Sequence, residues 1–376
     1  MNPKAQLCPN PACHASGKDG LNNIRVHSRK KKRYKCTCCR KTFSESKGTA
    51  VYGLKKPVEL FILVITLLVN GCPPQAIVAA FGLDPRTVAR WQERAGDHAR
   101  QVHEHIIGQS QLDLEQVQAD EIKVKTQRGY LWLALAMMVP TRLWIAGAVS
   151  PHRDKALIRQ LANQVRQIAQ YKPLLIAVDG LASYVNAFQL AFRSKVHTGK
   201  PGAPRKLPWP HLAIVQVVKR RTAGEFSIER RVVQGCAKLI QSLIDDSQGI
   251  GGGINTAFIE RFNGTFRQRL CFLARRTRAL ARRSQTVESG MYLLGCVYNF
   301  CTFHSSLSVQ IAVGFSANRW VKRTPAMAAG LTGHRWSIDE LLHFKVPSRF
   351  VRPKKRGRPP KFCCSSCGLS SPHFLA

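Results

Sequence analysis

Leu174–Gly180 reads LLIAVDG, five apolar residues ending in an acid and a glycine. A run so short and so apolar is a strand buried on both faces, as strands are when helices cover each side of a sheet. Helical patterns flank it, Lys155–Gln170 before and Ala182–Phe192 after, which is the alternation expected of an α/β sheet. Upstream, Val117–Val124, Leu131–Val139 and Leu143–Val149 are strand-like and separated by Gln127-Arg128-Gly129 and Pro140-Thr141, predicting three consecutive antiparallel strands. Downstream, the Pro/Gly-rich stretch GKPGAPRKLPWP (199–210) reads as a loop before a further strand, Leu212–Val218. Past a glycine joint, Gly249–Gly253, the stretch Asn255–Leu280 reads as one long helix with Ile259, Phe262, Phe266, Leu270 and Leu273 on its buried face. The expected class is α/β (α+β), multidomain, with a central domain over 114–300, a basic helix at 255–283, and an extension over 301–348.

The 376 residues carry 58 Lys+Arg against 21 Asp+Glu, a net charge of +37, and nucleic acid is the leading partner for such an excess. The longest apolar stretch, Val58–Val69, reaches roughly 18 Å as a helix, short of the roughly 30 Å of a bilayer core, so no membrane span is expected. The first residues show no charged-then-apolar leader pattern, and thirteen cysteines are therefore expected in a reducing cytoplasm, where metal binding outranks disulfides.

Residues 1–48 hold Cys8, Cys13, Cys36 and Cys39 as a C-x4-C and a C-x2-C pair, the spacing of two knuckles that close a structural, tetrahedral Zn²⁺ site. Cys38 could replace Cys36 or Cys39, and His14 or His27 could stand in at the first knuckle. Nine Lys/Arg interleaved with Tyr34 between Arg25 and Lys41 would face phosphates. Residues 54–101 read as three helices, of which Pro74–Gly82 and Pro85–Ala95 meet at Leu83-Asp84, with Asp84 as N-cap and Pro85 at the first helical position. As a helix-turn-helix this module would present Arg86, Thr87, Arg90 and Gln92 to DNA, with Val88 and Trp91 packed inward; the alternative is a plain three-helix bundle.

Three acids sit at the ends of apolar elements: Asp120 in VQADEIKVK, Asp179 in LLIAVDG, and Glu260 on the helix NTAFIERFNGTFRQRL, off its apolar stripe beside Asn263 and Arg267. Converging at a sheet edge, they would supply the oxygen ligands that two Mg²⁺ (or Mn²⁺) ions require for phosphoryl displacement by water and then by a DNA 3′-hydroxyl. Glu121 competes with Asp120, because neighbouring strand residues face opposite sides and the phase is open.

These residues resemble a bacterial insertion-sequence transposase of the DDE class, closest to the zinc-ribbon-bearing insertion sequence one family. The resemblance covers most of the chain and rests on RYKCTCCRKTFSESKGT, ADEIKV, VDGLASY, NTAFIERFNGTFRQRL, YNFCTFHSSL and RTPAMAAGLTGHRWSIDELL. It implies an RNase H-like catalytic core, Asp120, Asp179 and Glu260 as the metal-binding triad, the four cysteines as ribbon ligands, and a helical module that binds terminal inverted repeats in double-stranded DNA. Asn263 and Arg267 become phosphate or substrate contacts, and His304 is either a further site residue or a packed histidine. A homo-oligomer pairing two element ends, target DNA as second substrate, and a bacterial, nucleoid-associated location follow from the same resemblance. A noncatalytic DNA-binding protein, as regulator or decayed transposase, is the rival.

Eight arginines and no acid lie between Glu260 and Arg283, among them Arg269, Arg275 and Arg276, an expected ridge of phosphate contacts. The tail 349–376 contains PKKRGRPPK, which resembles an AT-hook with Arg356 and Arg358 reaching along a narrow minor groove, followed by Cys363, Cys364 and Cys367.

Overall fold

The computed structural model describes residues 1–196, 199, 203–222, 225–313 and 317–348, so the AT-hook-like tail with Arg356, Arg358 and the last three cysteines lies outside the described residues. The chain divides into two compact units, Met1–Glu45 with Pro347 and Ser348, and Ser46–Val346.

The small unit is a three-stranded antiparallel sheet of β1 (Ile24–Ser28), β2 (Arg33–Cys36) and β3 (Thr42–Ser44). Its core is Cys8, Cys13, Ala15, Ile24, Tyr34, Cys36 and Phe43, with Cys39 against it. Three cysteines among seven core residues leave too little apolar surface for a stable fold without a cross-link. Tyr34 is fully buried, its hydroxyl donating to Glu45 at 3.0 Å, so it serves this core instead of facing phosphates among the exposed bases Arg25, Lys30 and Lys35.

The large unit begins with α1 (Val58–Val69), α2 (Pro74–Phe81) and α3 (Pro85–Ile106). Gly82 ends α2 in the left-handed region at φ 57°, and the Asp84 carboxylate accepts from the Arg86 and Thr87 N–H groups, starting α3 where Pro85 has no N–H to lose. The second helix of the pair runs past the expected Ala95 to Ile106, because His98, Ala99, Val102 and His103 continue its buried stripe. Gly96 lets α3 meet α8 (Ser284–Cys296) at backbone distance, since a Cβ there would sit 2.4 Å from that of Ser289. The expected separate domain over 54–101 therefore shares one continuous core with the sheet that follows.

That sheet has six strands: β4 (Gln116–Thr126), β5 (Gly129–Met138), β6 (Leu143–Ser150), β7 (Leu174–Asp179), β10 (Leu212–Thr222) and β11 (Glu225–Gln234). Their order is β11-β10-β7-β4-β5-β6, with β4–β5–β6 and β10–β11 antiparallel and β4–β7–β10 parallel. Helices α4 (Lys155–Ile168) and α5 (Ala182–Ala191) bracket β7 in sequence as the apolar pattern predicts. Part of the expected 199–210 loop is strand: β9 (Arg205–Pro208) pairs with β8 (Arg193–Val196). After α6 (Ala237–Gln248) comes α7 (Ala257–Arg269), then α8 with a π-turn at Val297–Cys301, the hairpin β12 (His304–Val313) and β13 (Ala317–Arg323), α9 (Pro325–Ala328) and α10 (Ile338–His343). Among the described residues no helix is long and apolar enough to cross a membrane.

The long helix expected over 255–280 stops at Arg269. Its apolar positions Ile259, Phe262, Phe266, Leu270 and Leu273 are all buried, but so is Phe272, which no single helix face can share with Leu270 and Leu273. The chain turns at Leu270, tucks the Phe272 ring over Gly290, and ties Ala281 to the β4–β5 turn through the Gln127 N–H.

Candidate metal and acid sites

In the small unit the Sγ atoms of Cys8, Cys13, Cys36 and Cys39 all lie within 4.8 Å of one another, and Cys8 and Cys39 are 3.8 Å apart. Tetrahedral Zn–S bonds of about 2.3 Å place sulfurs about 3.8 Å apart, so the four thiols fit a metal of that size and softness. Each knuckle is closed by backbone bonds, Gly17 N–H to the Cys8 carbonyl and Cys36 N–H to the Lys41 carbonyl, while Arg40 takes φ 57° to turn the second. Asn23 Nδ2 donates to Cys36 Sγ at 3.3 Å, a bond that favours a thiolate. Burial pushes the Cys8 thiol up; burial also works on Cys39, but hydrogen bonds, that of the Lys41 N–H foremost, bring it down to about 7. The alternatives fall away on position: Cys38, His14 and His27 are exposed and outside the cluster.

In the large unit the face of each β4 side chain settles the open phase. Gln116 accepts from Ser247 on α6, Gln118 from α7, and Asp120 follows them on that side, where Asn263 Nδ2 donates to its Oδ2 at 2.8 Å. Glu121 takes the other side, where the Tyr184 hydroxyl of α5 donates to it at 2.6 Å. The two nevertheless converge. Pairing of β4 with β7 ends at Ala119–Val178, so the strands part just where the acids stand, and the carboxylates of Asp120, Glu121 and Asp179 come within 4.8 Å of one another around the end of β7.

Each acid is held differently. Asp179 Oδ1 accepts from the Leu181 N–H at 2.9 Å, and its Oδ2 meets Arg153 at 3.2 Å. Arg153 also makes a close ion pair with Glu121, whose side chain is 1% exposed. Glu121 is thus saturated by one guanidinium and one phenol. Asp120 is raised to about 6, first by burial and then by the charges of Glu121, Asp179 and Glu260, against the hydrogen bond from the Glu121 N–H. Such mutual destabilisation of neighbouring carboxylates is relieved by divalent cations, and oxygen donors of this kind suit hard ions.

Glu260 stands at the margin. It lies outside the three-acid cluster, with its carboxylate accepting from the Thr256 hydroxyl at 2.6 Å and paired closely with Lys219 of β10. What fixes it relative to Asp120 is Gln118, a residue that sequence reasoning passed over. Its Oε1 accepts from the Phe258 and Ile259 N–H groups at 3.1 and 3.0 Å, capping α7 where Thr256 makes no cap bond, and its Nε2 donates to the Asn255 carbonyl at 2.8 Å. A glutamine in an otherwise buried strand was the available signal, since a buried amide needs partners.

No protein-family model matches the chain, and no curated protein matches it.

The remaining expected contacts divide. Arg86 and Arg90 are exposed and Thr87 half-buried on α3, but Gln92 is buried: four residues after Val88 and one after Trp91, it falls on the packed stripe. Asn263 is 2% exposed and engaged with Asp120, so it orients a carboxylate where a phosphate contact was expected; its Oδ1 is buried with no partner among the described residues. Arg267 and Arg269 are half-buried on α7, with Arg269 donating to Thr302 at 3.3 Å, whereas Arg275 and Arg276 are exposed on the loop after it, so the arginines form no continuous helical ridge. His304 is half-buried on β12, 2.9 Å from the Ser306 hydroxyl and edge-on to Tyr298. Burial lowers its pKa, helped by Arg142 and Arg261.

Proposed function

We propose that this protein is a DDE-type transposase that cuts and joins double-stranded DNA at the ends of an insertion sequence. The observation that carries the reading is the acid cluster at the point where β4 and β7 part, with the Glu260-bearing helix α7 pinned to β4 through Gln118. The strand order, three antiparallel strands beside two parallel ones with β11 added antiparallel at the far edge, supports an RNase H-like core, and the cysteine cluster supports a zinc ribbon.

Asp120, Asp179 and Glu260 would hold two Mg²⁺ or Mn²⁺ ions, which when bound supply the charge that activates water and stabilises the leaving oxygen. The chain's own groups prepare that position. Asn263 fixes the Asp120 carboxylate, the Leu181 N–H fixes that of Asp179, and Lys219 keeps Glu260 compensated until its carboxylate is needed. Glu121, its side chain 1% exposed and held by both Arg153 and the Tyr184 hydroxyl, is withdrawn from the ligand set, which leaves three carboxylates for the cations. Arg86, Thr87 and Arg90 on α3 and the exposed bases of the ribbon would grip the terminal inverted repeats, target DNA would follow at the same acids, and two copies would pair two ends.

The test is strand transfer by the full chain, with Asp120→Asn, Asp179→Asn and Glu260→Gln, on DNA taken from the borders of its own gene. Each substitution should abolish joining and leave DNA binding in place. Joining that survives them refutes the site, and a wild-type chain that joins with neither Mg²⁺ nor Mn²⁺ favours the noncatalytic DNA-binding protein.

A further inference from the structure

Between α4 and α5 the structure has a groove of about 350 Å³ that none of the residues above occupies. Lys155 and Arg159 of α4 and Arg193 at the start of β8 bring three cations to it, and Ser183, Asn186 and Gln189 of α5 add neutral hydrogen-bonding groups. The eight lining residues include no acid and no aromatic ring. Without a ring to stack on, and without a carboxylate to take sugar hydroxyls, the groove lacks the usual means of holding a free nucleoside. Three cations and three amide or hydroxyl groups are instead the chemistry of phosphate contact, which positions a strand without reading it.

Helix electrostatics make the placement informative. Acids are favoured in the first turn of a helix and cations in the last. Neither α4 nor α5 has an acid in its first turn, α4 opens with Lys155, and Asp154 is committed as the N-cap that accepts from the Leu157 N–H. Lys155 and Arg159 thus add to the positive end of α4, while Arg193, beyond the last turn of α5, donates from Nε to the Gln189 carbonyl at 3.2 Å and keeps its terminal nitrogens for a ligand. The groove also adjoins the acids along the chain: Lys155 follows two residues after Arg153, which grips Asp179, and Ser183 lies four residues beyond Asp179.

We infer that the α4–α5 groove is a second DNA site, holding about three successive backbone phosphates of a duplex whose neighbouring segment lies at the acid cluster. The inference rests on the DNA-processing reading and adds a binding site to it.

The experiment measures affinity of the full chain for a mixed-sequence duplex against NaCl concentration, for wild type and for the set Lys155→Ala, Arg159→Ala, Arg193→Ala. Each phosphate contact contributes about 0.9 to the slope of log K against log salt, so the set should lower its magnitude by about 2.7. The wild-type advantage should accordingly shrink about 40-fold between roughly 50 and 200 mM NaCl. The charge-conserving set Lys155→Arg, Arg159→Lys, Arg193→Lys should keep the wild-type slope. A photo-crosslinking side chain at the exposed Asn186, in an otherwise wild-type chain, should attach to the duplex whatever the alanine set does to folding. Strong duplex binding with an unchanged slope in the alanine set, or no crosslink from position 186, overturns the groove alone. Absence of any duplex affinity in the wild type overturns both the groove and the DNA reading.

Discussion

Replacing Arg153 by methionine should separate the two jobs of the acid cluster, keeping an unbranched side chain of similar length while deleting the guanidinium that joins Glu121 to Asp179 and lies 5.2 Å from the Trp132 ring. Glu121 is 1% exposed, and with Arg153 gone its charge retains only the Tyr184 hydroxyl. Breaking a fully buried ion pair costs about 3–5 kcal/mol, but Arg153 is 37% exposed, so solvent reaches the vacated position and the lower figure of about 2–3 kcal/mol applies. Glu121→Gln in the same chain removes the stranded charge and keeps an acceptor for Tyr184, so the double variant should cost about 2 kcal/mol less than the two single ones together. Urea denaturation in chelator, followed by tryptophan fluorescence, gives all four stabilities. Additivity to within about 0.5 kcal/mol would show that Arg153 and Glu121 do not depend on one another, and the account of Glu121 as a carboxylate withdrawn from metal ligation would fall with it.

His98 and His103 are buried on α3, the first donating from Nε2 to the Leu341 carbonyl at 3.1 Å, and burial lowers both to about 4. Below about pH 6.5 the unfolded chain binds protons that the folded one refuses, so each histidine should remove about 3 kcal/mol of stability as pH falls to 4; a His98→Gln, His103→Leu chain with an unchanged acid limb would disprove this. The cysteine cluster should carry one zinc per chain by elemental analysis, lost in Cys36→Ser and kept in Cys38→Ser, and equal loss from both would exclude the assigned ligands.

Much of this was legible in the sequence because its signals are local. Val58–Val69 forms α1 with the expected bounds, and LLIAV forms a strand with every residue buried and Asp179 at its end. The four cysteines gather as their spacing requires. What stayed hidden depends on distant partners. β11 is exposed from Ser227 to Val233, so no apolar alternation marks it, and only its pairing with β10 makes it a strand. The end of α7 is set by where Phe272 and Ala281 dock, not by a breaker residue. The phase of Asp120 against Glu121 depends on where β4 leaves β7, and the roles of Gln118 and Asn263 depend on a helix more than a hundred residues away in the chain.

The close approach of α3 to α8 at Gly96 has a mechanical consequence. From the exposed Arg86 to His103, packed on Trp144 of β6, α3 is a single rod of about 26 Å, roughly three-quarters of a turn of duplex DNA. Seated against α8 at Gly96 and against β6 at His103, it cannot swing as a tethered arm does. Were α3 to grip duplex DNA as proposed, the spacing of that grip from the core would be dictated by a helix length, not by a linker.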